Sequence, residues 1–178
     1  ADPIQFDIIP SKEHVRARCK EPRWGPATRK VLMADARQKL RSGEAIRPNG
    51  PSDHVSRTVI VGKFDPEVSK MGVPSDLRIC IDMVSQNTLI RKKVQCYPNP
   101  KAEVEKATRW KVFFTADGKN QFKALPLHET AQKRTDFWSP LGILRLTRLC
   151  FGQKNASSWA QTFYTMALNN PSMGTSGT

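Results

Sequence analysis

The sequence predicts an α+β domain, and three observations carry that prediction. Short β-branched stretches come in pairs separated by turn residues, two longer stretches show helical apolar spacing, and no strand–helix–strand alternation links them. A doubly wound sheet is therefore not expected. The chain of 178 residues, 38% hydrophobic and 25% charged, can bury a real core as one domain or as two small lobes.

Gln5 to Gly25 is polar and lacks periodicity, with His14, Arg16, Arg18, Lys20 and Arg23 clustered before Trp24. It reads as a basic extended arm, residues 1–25. Pro26 suits a first helical turn, Leu32, Ala36 and Leu40 recur every four residues, and Gly43 is a stop, which together predict an amphipathic helix with a basic outer face. Beyond the loop Pro48-Asn49-Gly50-Pro51, the β-branched Thr58–Val61 and the alternating Leu77–Ile81 predict a hairpin with a long connection, Phe64 to Asp76.

Pro98 and Pro100 precede a short helical stretch, Ala102 to Ala107. A strand is expected over Val112–Thr115, then a second hairpin of Thr135–Ser139 against Leu144–Thr147, turned by Pro140-Leu141-Gly142. A helix from Ala156 to Leu168, with Trp159, Phe163 and Met166 on one face, ends at Asn169-Asn170-Pro171. Residues 171–178 read as a flexible tail.

Twenty-nine Lys plus Arg against 16 Asp plus Glu give a net charge of +13. That excess favours polyanionic partners, nucleic acid first. No window approaches the roughly 18 apolar residues of a membrane span, so no membrane partner is expected. Cys19, Cys80, Cys96 and Cys150 form no Cys-x-x-Cys pair, and with the scattered His14, His54 and His128 they show no zinc spacing. Free thiols in a reducing, intracellular compartment, cytoplasm or nucleus, are the expectation.

Asp117 is the carboxylate that draws attention. It follows the apolar run Val112-Phe113-Phe114, where a buried strand could hold it rigidly, although on position alone a solvated turn before Gly118 is the favoured reading. Four segments bear on the choice. Leu77-Arg78-Ile79-Cys80-Ile81-Asp82 with Asn87 is similar to Leu-Arg-Met-Cys-Ile-Asp-Tyr-Arg-x-Leu-Asn, and Phe113 to Leu127 resembles Phe-Ser-x-Leu-Asp-Leu-x-x-Gly-Tyr-His-Gln-Ile. Leu149 to Ser157 resembles Met-Pro-Phe-Gly-Leu-x-Asn-Ala-Pro, with Gln161 in the place of a later Phe-Gln glutamine, and Gly43 to Pro48 resembles Glu-Gly-Val-Ile-Arg-Pro. In this order they resemble the reverse transcriptases of gypsy-like LTR retrotransposons, over roughly Trp24 to Leu168.

The resemblance implies a right-hand polymerase fold represented by fingers and the N-terminal part of a palm. Residues 26–110 would hold the fingers and the start of the palm, and residues 111–170 the partial palm with adjoining fingers elements. By the same resemblance, Asp117 is the first metal-binding and catalytic aspartate, for the Mg²⁺ or Mn²⁺ of a complete palm. Polymerisation needs two such ions because transition-state charge spreads over several oxygens.

Arg78 matches the arginine that grips the incoming triphosphate, as a bidentate guanidinium can. Phe122 matches the aromatic that excludes a 2′-hydroxyl. Phe151 and Gly152 match the turn beside the nucleotide, Asn155 and Gln161 match template-side or fold-supporting amides, and Lys63 matches a fingers-tip lysine, with Lys70 competing. Asp82-Met83-Val84 departs from Asp-Tyr-Arg, Gly118 follows Asp117, and Gln153-Lys154 and Ser157 depart from the third motif.

The paired aspartates of the family's Tyr-x-Asp-Asp hairpin are not among these residues. The expectation is thus a piece of an RNA-directed DNA polymerase, contributing nucleotide and template contacts and inactive alone. Its partners would be an RNA or DNA template-primer and the remainder of the polymerase, or a second copy pairing with an exposed palm edge. The alternative is a non-catalytic nucleic-acid-binding or assembly protein derived from a retroelement.

Overall fold

A computed structural model describes residues 2–63, 76–94, 99–112 and 121–169. The architecture is α+β, as expected. Helix α1 spans Pro26–Arg41 and begins with proline in its first turn after an extended Gly25. Leu32 and Ala36 are buried, and Gly43, at φ +70°, makes the left-handed exit that favours glycine.

The described residues form seven strands, of which the four in the two hairpins follow from the β-branched and alternating stretches. They are β1 (Ala17–Arg18), β2 (Ala45–Ile46), β3 (His54–Ser56), β4 (Thr58–Lys63), β5 (Asp76–Ile81), β6 (Asp136–Ser139) and β7 (Gly142–Leu146). A mixed five-stranded sheet runs in the order β1-β3-β6-β7-β2, and β4 and β5 form a separate antiparallel hairpin. Both predicted hairpins are present. In the second, Ser139 pairs with Gly142 across a two-residue turn, and Gly142 takes φ +92°. The parallel pairing of β3 with β1 and with β6 has no counterpart in the sequence reading, because two- and three-residue strands show no periodicity.

Shorter helices are α2 (Val84–Asn87), α3 (Pro100–Ala107) and α4 (Glu129–Gln132), and the last helix, α5, is Ala156–Asn169. Asn99 caps α3 by accepting from the Lys101 amide. On α5 the apolar face holds Trp159 and Phe163 with Tyr164, against a cluster containing Leu125, Leu127 and Leu149. Met166 departs from expectation and is 65% exposed.

The arm is extended but not separate. Phe6 is buried in the α5 cluster, stacking on Trp159 at 5.6 Å, and Ile4 and Ile8 bridge to Leu127 and Ile90. Farther along, the Trp138 indole donates to the Cys19 carbonyl at 3.0 Å. A second cluster joins Ala36 of α1 to Ala45, Ile81, Phe137, Leu144 and Leu146.

Under the sheet, Asp136 is fully buried and accepts from Arg145 Nε at 2.6 Å and Nη2 at 2.9 Å. The fork geometry satisfies both carboxylate oxygens, which is what permits a charge at that depth. Of the expected Val112–Thr115 strand, Val112 is exposed and unpaired in any strand, and the rest lies outside the described residues. Cys19, Cys80 and Cys150 are free thiols, as expected, and Cys96 lies outside the described residues. Among the described residues no helix is long and apolar enough to cross a membrane.

Candidate functional site

Alternation along β5 puts Arg78 and Cys80, two residues apart, on one face of the strand. Both line a cavity of about 580 Å³ whose wall is completed by Asp35 and Lys39 of α1, Glu44, Lys123, and the segment Arg148 to Phe151. Sequence-distant segments thus meet at one place. Phe151 presents an exposed ring to it, and Phe122 meets that ring edge-on, with centroids 4.8 Å apart and planes at 84°. Phe122 itself sits on a 3-10 turn, Gln121–Ala124, and packs against the α5 cluster, so the core supports Phe122 and Phe122 supports Phe151.

The turn after Phe151 is tied down by two asparagines. Gly152 takes φ +81°, and its carbonyl accepts from Asn87 Nδ2 at 2.7 Å. Asn87 Oδ1 in turn accepts from the Lys154 amide at 2.7 Å. Asn155, at φ +66°, donates to the Arg91 carbonyl at 2.8 Å and accepts from the Lys93 amide at 2.9 Å. Asn tolerates the left-handed region because its short amide can bond locally. Asn155 is therefore a fold-supporting residue in the described structure. Asn87, not among the expected site residues, does the matching work for Gly152.

Charge in the cavity is unbalanced. Lys39, Arg78, Lys123 and Arg148 outnumber Asp35 and Glu44. Both carboxylates are engaged, Asp35 in a short contact with Lys39 and Glu44 with Lys123 at 3.0 Å. On the described lining the cationic side chains exceed the carboxylates by two, a balance that favours an anion over a divalent cation. Cys150 lies at its inner side with its thiol pushed up to about 12, first by burial and then by the neighbouring Cys80.

The remaining expected residues are not gathered here. Gln161 is exposed and bonds along its own helix to Thr165. Lys63 ends β4 opposite Asp76, two register steps from the Val61–Arg78 pair, and its side chain is outside the described residues. Lys70 and Asp117 also lie outside them. Lys39, Lys123 and Arg148 escaped the sequence reading because only the fold brings those basic positions together.

A larger cavity, about 760 Å³, opens elsewhere between the arm, α4 and the loop before β3, and contains none of the expected residues. Arg134 Nη1 lies 3.1 Å from His54 Nε2 at its wall, and His54 Nδ1 is buried without a hydrogen-bond partner among the described residues. Burial, then Arg134, hold the His54 pKa below its ordinary value. Its lining is balanced in charge, with Asp7, Glu13 and Asp53 against Lys133, Arg134 and Arg145, so it is the weaker candidate despite its size.

No family model matches the chain, and no curated protein matches it.

Proposed function

We propose that the chain supplies the fingers and the first part of the palm of a gypsy-like reverse transcriptase, and that the cavity beside β5 receives the phosphates of a deoxynucleoside triphosphate. One observation carries this reading: Arg78 and Phe151, with Phe122 backing the latter, come from three motifs far apart in sequence and meet at a single basic cavity. Arg78, Lys123 and Arg148 would bind phosphate oxygens, the guanidiniums by paired hydrogen bonds. The Phe122–Phe151 pair would give the sugar an apolar wall, against whose ring edge a 2′-hydroxyl would lie unsolvated.

In a complete palm, divalent ions would neutralise charge developing on the triphosphate, and Asp117 is the residue by which this chain would hold one. The paired aspartates of that palm are not among the 178 residues, so primer extension requires carboxylates from elsewhere. The net charge of +13 favours a second reading, a nucleic-acid-binding protein without catalysis.

Equilibrium titrations separate the two. Under the first reading the full chain binds a Mg²⁺–dNTP saturably, and Arg78→Ala weakens that binding by roughly 1.5 to 3 kcal/mol, the value of a charge-assisted hydrogen bond. Under the second it binds primer-template with an affinity that falls with salt, at a log–log slope of about −0.9 per phosphate contact, and does not bind dNTP. Binding of neither would reject both.

A further inference from the structure

Cys80 and Cys150 line the same cavity as Arg78 and Phe151, one from the β5 strand and the other from the segment that leads into the Phe151-Gly152 turn. They are 70 positions apart in sequence and share no motif, so only the fold brings them to one place. We propose that they form an oxidation-sensitive dithiol, and that a peroxide closes it to a disulfide that ties the β4–β5 hairpin to the floor of the cavity and shuts out the nucleotide. The gating half of this inference rests on the nucleotide reading above; the dithiol does not.

The roles of the two sulfurs differ. Cys150, with its thiol at about 12, is almost wholly protonated near neutrality and does not attack first. Cys80, on the strand face of the cavity, is the sulfur placed to meet a peroxide: it attacks as the thiolate, displacing hydroxide, which takes up a proton as water, and becomes a sulfenic acid. The Cys150 sulfur then loses its proton and displaces the sulfenic hydroxyl as a second water. Two thiols and one peroxide give one disulfide and two waters. Cys19 is the internal comparison, since it lies beyond β1, its carbonyl is bound by Trp138, and it does not line this cavity.

The test is disulfide mapping on the full chain. After brief hydrogen peroxide treatment, blocking of free thiols and proteolysis without reductant, mass spectrometry should find Cys80 linked to Cys150 in preference to any other pair. Dithiothreitol should reverse the link, and Cys80→Ser should abolish it. Because Cys150 is packed against the core, Cys150→Ala is to be paired with Cys80→Ser, whose site is the strand face of the cavity. Linkage spread evenly over the four cysteines, or conversion of Cys80 to sulfinic acid with no link to Cys150, would overturn the dithiol.

Titration with a Mg²⁺–dNTP before and after oxidation reads the gate. Affinity should fall at least tenfold on oxidation and return with dithiothreitol. A clean link that leaves dNTP affinity unchanged would overturn the gate. A clean link in a chain that binds no dNTP when reduced would uphold the dithiol and reject the polymerase reading instead.

Discussion

Hairpin β6–β7 is flanked on both sides, by β3 and by β2, whereas hairpin β4–β5, among the described residues, makes its strand pairs only with itself. The first turns over two residues, buries Phe137 and Leu144, and locks Asp136 to Arg145 beneath the sheet. The second has an exposed Val61 and Arg78, ties to the rest through Thr58 Oγ1, which donates to the Trp138 carbonyl at 2.6 Å, and through Ile81 in the second cluster, and has its own base closed by the Arg57–Asp82 pair. A two-stranded ribbon is marginal by itself, so β4–β5 depends on the platform it grows from. The arginines of the two hairpins differ in place: Arg145 forks the buried Asp136 carboxylate, and Arg78 lines the basic cavity. Under the proposed function, stability and ligand contact fall to different hairpins, and mutations should separate them.

The largest effect is expected on the platform. Asp136→Ala leaves the largely buried Arg145 guanidinium without its carboxylate, and should cost about 3 kcal/mol in urea unfolding. A loss below one kcal/mol would mean that the pair does not anchor the sheet. Next comes Arg78→Ala, expected to move the urea midpoint far less than Asp136→Ala does while weakening dNTP binding by about 1.5 to 3 kcal/mol. Loss of stability in place of binding would erase the distinction between the hairpins.

A pH dependence belongs to the platform side. His54 is held neutral in the fold, so below its ordinary 6.5 the unfolded chain takes up a proton that the folded chain resists. Stability should be full above about pH 6.5 and fall as pH drops below it. Unfolding midpoints at neutral and mildly acid pH check this, and His54→Gln should flatten the difference. The smallest effect is expected at the base of the open hairpin. Arg57→Ala removes an exposed pair with Asp82, worth about 0.2 to 1 kcal/mol, and less in high salt.

Much of this division is legible in sequence. Alternation and turn residues mark both hairpins, and Pro26 and Gly43 bracket α1. What sequence hides is what depends on pairing between distant segments. The strand His54–Ser56 has three residues, and its place between β1 and β6 exists only in the folded sheet. The Gln5–Gly25 stretch looks detachable because Ile4, Phe6 and Ile8 alternate over too short a span to announce a buried face. Arg78, Phe122 and Phe151 are singled out by their motifs, while Lys39, Lys123 and Arg148, ordinary basic residues on their own segments, come beside Arg78 and Phe151 only through the fold.

Hydrogen exchange of the full chain with and without a saturating Mg²⁺–dNTP tests the central claim most directly. Slower exchange is expected in peptides covering 76–81, 121–124 and 148–152, with β6–β7 unchanged. Protection confined to the arm, His54 and α4, around the larger cavity, or no protection anywhere, would contradict a nucleotide site at the open hairpin.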